Sequence, residues 1–355
     1  MDETQKAMQR TDSLNAEGGA QVAVVGAGSW GTALAQLLAG NGNRVRMWAR
    51  KPEVAEGINE QHRNVRYLSH VPLSPNVTAT NDLGACLEDA DAVVFVTPSR
   101  LLRTFATQAA PFLGPDVPVM VCSKGVEAGT GALSSDVLAD ELGGLSRVAV
   151  LSGPNHAEEV IERKPAATVI ASVDLGTAQR FQRLFSTPWF RCYVSDDVVG
   201  VELCAALKNV VAIAVGVAAG CGYGDNTAAV LMTRGMAEMG RLVAECGGSP
   251  LTVMGLAGAG DLIATCTSEH SRNRSFGKLL AQGWSVQEYE TKTHMVVEGA
   301  VACKTVLALA ERVGVELPIA EGVRNLVWGG ATVEEVARTL VGRELKPEFW
   351  GLEGR

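Results

Sequence analysis

The sequence predicts an α/β fold, a doubly wound parallel sheet, followed by an all-helical domain. Three observations carry this. Short β-rich runs alternate with helical stretches from Gln21 onward. Those runs are continuously apolar instead of alternating, as strands covered on both faces must be. Beyond Ser195 the β-rich runs stop.

The strands are expected at 21–26 (QVAVVG), 44–49 (RVRMWA), 76–80 (NVTAT), 92–97 (AVVFVT), 117–123 (VPVMVCS) and 148–153 (VAVLSG). Helical segments between them, such as Thr32–Leu38, complete repeated βα units. Two more runs, 166–172 and 189–195, are expected to extend the sheet. The helical domain opens near Asp196–Asp197, whose acids suit a helix N-terminus, and continues around 227–246, 273–282, 298–313, 318–328 and 332–341. The chain therefore divides into a disordered tail (1–20), a dinucleotide-binding domain (21–195), a helical substrate domain (196–345) and a short tail (346–355).

The 355 residues suffice for two domains, and the formal charge of −8 argues against nonspecific nucleic-acid binding. It leaves room for a locally basic site that takes an anionic small molecule. The eight cysteines are scattered singly with no C-x-x-C pair, the usage of a reducing compartment. Residues 1–20 lack an apolar core of the signal-peptide kind, and the most membrane-like stretch, Val210–Cys221, has 12 residues against the roughly 20 of a spanning helix. These readings predict a cytoplasmic protein without membrane insertion. Five histidines form no metal-ligand spacing, so no metal is expected.

Gly26-Ala27-Gly28-Ser29-Trp30-Gly31 matches G-x-G-x-x-G immediately after the first strand, opening an apolar helix. In a Rossmann-like domain Gly26 makes the tight turn, Gly28 lets a pyrophosphate approach the backbone, and Gly31 permits close helix–strand packing. The second strand ends in Ala49-Arg50-Lys51 instead of the acid usual for NAD. Two cations there favour a 2′-phosphate, so the cofactor is expected to be NADP or NAD, with NADP preferred.

Distinctive residues follow the strand ends: Thr97-Pro98-Ser99, Ser123-Lys124-Gly125 and Ser152-Gly153-Pro154-Asn155. Lys124, between a buried strand and a glycine, can polarise a carbonyl or hold an anion. In VVGVELCAALKNVVAIAVGVAAG, Lys208 shares a helix face with Val201, Cys204, Val211 and Val215. A lysine buried there would have a pKa lowered towards neutrality, which suits a general acid/base. Asp261 can orient or pair with it. Ser271 suits an N-cap, and the helix start with Arg272 and Asn273 makes a phosphate cradle.

Taken together, these motifs make a sequence that resembles the bacterial-type NAD(P)-dependent glycerol-3-phosphate dehydrogenases. GAGSWGTALA (26–35), MWAR (47–50), CSKGVE (122–127), LSGPNHAEE (151–159), ELCAALKNVVAIAVG (202–216), GLAGAGDLIATC (255–266), SRNRSFG (271–277) and VVEG (296–299) carry the resemblance. It implies a homodimer that interconverts dihydroxyacetone phosphate and sn-glycerol 3-phosphate as a glycerophospholipid precursor. It implies Lys208 as proton donor and acceptor, and Lys124 in contact with substrate and cofactor. Gly153, Asn155, Asp261, Ser271, Arg272 and Asn273 would bind substrate. Ser29, Trp30, Arg50, Ala157, Arg272, Val296 and Glu298 would line the cofactor. Asn155 stands where many relatives carry Ser or Thr, and an amide still donates and accepts hydrogen bonds. Two other readings are a 3-hydroxyacid or ketopantoate-type dehydrogenase, whose carboxylate substrates need no phosphate cradle, and a noncatalytic dinucleotide sensor, which needs no acid/base.

Overall fold

The computed structural model describes residues 19–293 and 295–352. The chain forms two compact units whose segments alternate along the sequence. One unit takes the described residues up to Ser123, then Val137–Leu151 and Asn155–Val194; the other takes Lys124–Asp136, Ser152–Pro154 and Ser195 onward. The single boundary expected at 195/196 lies one residue beyond the last crossing, at 194/195, and earlier crossings precede it. Two short segments at strand ends group with the helical unit, where Lys124 and Ser152 reach Asp261 and Ser135 reaches Glu202.

The sheet unit runs β1 (Gln21–Val25), α1 (Ser29–Gly40), β2 (Arg44–Trp48), α2 (Pro52–Gln61), β3 (Val77–Thr80), α3 (Leu83–Leu87), β4 (Ala92–Phe95), α4 (Leu102–Ala109) and β5 (Val119–Val121). It continues with α5 (Ser134–Leu142), β6 (Val148–Ser152), α6 (Ala157–Ile161), β7 (Ala166–Ala171), α7 (Leu175–Phe185) and β8 (Phe190–Ser195). The strand order is β3-β2-β1-β4-β5-β6-β7-β8, and the ladders linking the first six strands are parallel. That 3-2-1-4-5-6 order is the dinucleotide-binding arrangement. Residues of β1, β4, β5 and β6 are almost wholly buried, which explains their unbroken apolar runs. β5 is shorter than the 117–123 expected, since Pro118 has no N–H for a ladder.

The second unit contains α8 (Val198–Gly220), α9 (Asp225–Glu245), α10 (Asp261–Thr267), α11 (Arg272–Leu280), α12 (Val286–Thr293), α13 (Glu298–Val313), α14 (Pro318–Trp328) and α15 (Val333–Val341). Among the described residues after Ser195 there is no strand. Asp197 caps α8 by accepting from Gly200 N at 2.9 Å. α8 packs against α9, α10, α11, α13 and α14, so every side of it is covered. It is long and apolar enough to cross a bilayer, with mean hydropathy 2.0, yet 89% of that stretch is buried inside the protein.

At the amino end, residues 1–18, expected as a disordered tail, lie outside the described residues. At the other end residues 346–352, also expected as a tail, pack on α9. Lys346 Nζ lies 3.4 Å and the Arg241 guanidinium 5.5 Å from the Trp350 ring centroid. Arg234 adds a 2.9 Å hydrogen bond to the Glu348 carbonyl.

Candidate active site

In the sheet unit, β1 ends in the glycine-rich turn. Gly26 has φ +126°, and a Cβ on Gly31 would lie 2.0 Å from the Gly26 carbonyl oxygen, so both positions require glycine for the fold itself. Gly28 differs: a Cβ there would meet nothing within 4 Å. Gly28 is also the N-cap of α1 and offers no capping side chain, so the first N–H groups of Ser29, Trp30 and Gly31 are open to an anion. Space kept clear before an uncapped helix start fits a dinucleotide pyrophosphate. Trp30 is half-buried against the sheet core.

Arg50 is exposed after β2, and Lys51 is the N-cap of α2. Lys51 Nζ lies 3.9 Å from Glu53 Oε1, and Arg66 Nη1 lies 3.8 Å from the same oxygen. Sequence reasoning misses Arg66, which sits 13 residues beyond Glu53 in an irregular loop. Asn64 holds that loop in place. Its buried Nδ2 donates to Ala27 O (3.0 Å) and Thr32 Oγ1 (2.8 Å), while its Oδ1 accepts from the N–H groups of Arg66 and Tyr67. The cation-bearing loop is therefore tied to the glycine-rich turn. Ala157, also expected at the cofactor, is the buried first residue of α6. Asn155 Nδ2 donates to Ala167 O at 2.9 Å, and its buried Oδ1 has no partner among the described residues.

In the helical unit, Lys208, Lys124 and Asp261 meet. Asp261 is 2% exposed and opens α10 directly after a turn of π-helix, Leu256–Gly260. Such turns are rare and recur at functional sites. Lys208, 6% exposed, donates to Asp261 Oδ1 at 2.5 Å and to Thr265 Oγ1 at 2.7 Å. Lys124 Nζ donates to Asp261 Oδ2 at 2.7 Å. Ser152, preceding the buried Gly153, places its Oγ 3.5 Å from Oδ2. Thr265, four residues after Asp261 on one helix face, is a Lys208 partner that this spacing alone could have suggested.

Burial lowers the Lys208 pKa to about 8; the nearby Lys124 charge adds to this, and Asp261 opposes it. Burial pushes the Asp261 carboxyl upward, but the charges of Lys124 and Lys208 outweigh it and hold the pKa below its ordinary value. With both lysines protonated the buried centre carries one net positive charge, suited to an anionic ligand. Two of the three N–H donors of the protonated Lys208 are engaged by Asp261 Oδ1 and Thr265 Oγ1.

Ser271 caps α11, accepting from Arg274 N at 3.2 Å. Asn273 is buried: Nδ2 donates to Asn209 Oδ1 at 2.9 Å and Oδ1 accepts from Gly299 N at 3.0 Å. This clamp fixes the start of α11 to the residue after Lys208. Arg272 is exposed on the first turn. Val296 and Glu298 lie half-buried where α13 begins. Among the described residues no group of three or more His, Cys, Asp or Glu could hold a metal ion.

A Rossmann-type sheet unit and a helical unit centred on a buried lysine, Lys208, with the half-buried Lys124 on the same carboxylate define the class of two-unit dehydrogenases. Similarity to known proteins narrows this. Residues 21–178 match the family described as NAD-dependent glycerol-3-phosphate dehydrogenase N-terminus, and residues 197–338 match the corresponding C-terminus. The glycerol-3-phosphate dehydrogenase [NAD(P)+] of Streptomyces griseus is 47% identical over 329 residues, covering 92% of this chain and 98% of the relative. That of Corynebacterium urealyticum is 46% identical over 330 residues, covering 92% and 99%. The crystal structure of glycerol-3-phosphate dehydrogenase from Coxiella burnetii aligns with TM-score 0.87 at 36% identity, covering 91% of this chain and 99% of that one. The chain belongs to the NAD-dependent glycerol-3-phosphate dehydrogenase family.

Proposed function

We propose that this chain is an NAD(P)-dependent dehydrogenase that interconverts sn-glycerol 3-phosphate and dihydroxyacetone phosphate. The observation that carries the reading is the buried Lys208, its pKa lowered to about 8 by burial, held by Asp261 and Thr265. The names of the high-coverage relatives support the substrate.

A nicotinamide cofactor, when bound, would supply or accept the hydride. Lys208 donates a proton to the substrate C2 oxygen in reduction and withdraws it in oxidation. A pKa of about 8 keeps both protonation states accessible near neutral pH. Asp261 orients Lys208 and balances its charge, and Lys124 adds the second cation that draws an anionic substrate. Arg272 and the α11 N-terminus are assigned to the substrate phosphate, with Ser271 and Asn273 shaping that helix start. Gly153 and Asn155 complete the substrate contacts. Ser29, Trp30, Arg50, Lys51, Ala157, Val296 and Glu298 are assigned to the cofactor, with NADP preferred. Among the described residues no disulfide joins the cysteines, which supports a reducing, cytoplasmic setting.

Oxidation of NADPH and NADH, followed with dihydroxyacetone phosphate and with 2-keto and 3-keto acids, tests the reading. Turnover with dihydroxyacetone phosphate alone is expected. Turnover confined to the keto acids would replace it with a carboxylate-directed dehydrogenase, and no turnover would favour a sensor.

A further inference from the structure

Glu202 is a buried carboxylate that the proposed chemistry does not use, on the same helix as Lys208 and 5% exposed. Both of its oxygens accept from Ser135 N, at 3.2 and 3.3 Å, and Oε2 also accepts from the Ser135 hydroxyl. The neighbouring Ser134 Oγ donates to Gly125 O at 3.3 Å, next to Lys124. Between these ends the segment folds back on itself through an antiparallel bridge, Val126 to Leu133. The contacts close a ring: Glu202, Ser135, Ser134, Gly125, Lys124, Asp261 and Lys208, which returns to α8 six residues beyond Glu202.

We infer that Glu202 is a positioning residue that anchors the 124–136 segment to α8 and thereby sets Lys124 on Asp261 beside Lys208. A carboxylate in apolar surroundings is costly unless its acceptor capacity is used. Here that capacity is spent on Ser135, with the Ser134 backbone adding to it, in the segment that bears Lys124. A packing role alone would be filled better by leucine, the residue that follows it on this apolar helix.

The anchor has a consequence for charge. Within the described residues, the charged groups against Lys208 are Asp261 on α10 and Lys124. The Cys266 thiol, pushed up to about 12 by burial, stays neutral. Asp136 is the charged neighbour of Glu202. If the anchor is lost, Lys124 retreats, its repulsion of Lys208 weakens, and the Lys208 midpoint moves up.

The role rests on the reaction proposed above, so the experiment includes a substrate-free arm. Full-length Glu202→Leu, Glu202→Gln and Ser135→Ala are compared with wild type by NMR titration of the Lys208 ammonium and by steady-state kinetics. Glu202→Leu is expected to raise the Lys208 midpoint and to lower kcat/KM for dihydroxyacetone phosphate by about 10- to 100-fold, with the NADPH KM unchanged. Glu202→Gln, which can still accept from Ser135 N, should restore activity to within about threefold of wild type. A folded Glu202→Leu protein with an unmoved midpoint and wild-type kcat/KM would overturn the inference. Should that variant not fold, Ser135→Ala decides: a smaller upward shift upholds the anchor and an unmoved midpoint overturns it. Wild-type protein inactive on dihydroxyacetone phosphate would instead sink the proposed reaction, and the midpoint alone would then judge the anchor.

Discussion

Lys208 and Lys124 hold opposite oxygens of one buried carboxylate: Lys208 Nζ lies 2.5 Å from Asp261 Oδ1, and Lys124 Nζ lies 2.7 Å from Oδ2. Two cations on one anion would be an expensive arrangement for stability alone. It becomes intelligible as a site that is completed by an anion and that can exchange a proton.

Replacement of Lys208 by Ala should lower kcat by ~10²–10⁴-fold, the range for a positioned acid/base group. The pH profile carries a sign. Reduction needs the protonated ammonium and should decline as pH rises through about 8, whereas oxidation needs the neutral amine and should increase through the same midpoint. Initial rates in both directions across that midpoint check this, and parallel profiles would remove Lys208 from the role.

Asp261→Asn leaves the buried Lys208 and the half-buried Lys124 without their counter-charge. Loss of one partner of a buried ion pair costs about 3–5 kcal/mol, so a marked fall in Tm is expected. Because Asp261 raises the Lys208 pKa, its loss should move the Lys208 midpoint below that of wild type. The destabilisation should shrink as pH rises through about 8 and Lys208 discharges. Thermal melts on the acid and alkaline sides of the Lys208 midpoint measure the difference, and an equal loss at both would contradict the charge argument.

The two glycines flanking Ser29 and Trp30 should separate fold from function. Gly28→Ala meets open space, so Tm should stay near wild type while the NADPH Kd rises by about tenfold or more, as for a lost hydrogen bond to a charged group. Gly31→Ala would bring a methyl 2.0 Å from the Gly26 carbonyl, so Tm should fall. Cofactor fluorescence titration with a melt on each variant tests the pair.

Cofactor choice should follow the Arg50, Lys51, Arg66 and Glu53 cluster. Arg50→Ala with Lys51→Ala should reduce kcat/KM for NADPH about tenfold or more while sparing NADH. Glu53→Gln releases Lys51 and Arg66 from a shared carboxylate and should move the ratio further towards NADPH. Because these groups are exposed, the effect should weaken with salt. A wild-type kcat/KM that favours NADH would reject the preference.

Much of the molecule is legible in residue order. The strands stand out because burial on both faces demands unbroken apolar runs. The glycine-rich turn stands out because strand, turn and helix follow in sequence, and Lys208 does because a cation interrupts an apolar helix. Glu202 interrupts the same helix without revealing its role, since its meaning depends on Ser135, 67 residues earlier. Arg66 is hidden for a related reason, as Asn64 places it from within an irregular loop.

Local physics suffices to predict the order of elements, the glycine-rich turn and the chemical character of single residues. Periodicity, capping and glycine chemistry act over a few residues and are written in consecutive positions. The tertiary structure alone decided that Lys124 and Lys208 share Asp261, that Asn273 is clamped between Asn209 and Gly299, and that 124–136 belongs with the helical unit. Those are contacts between distant parts of the chain. Their partners are chosen by packing and by the requirement that every buried polar group be satisfied, and neither condition exists until the chain has folded.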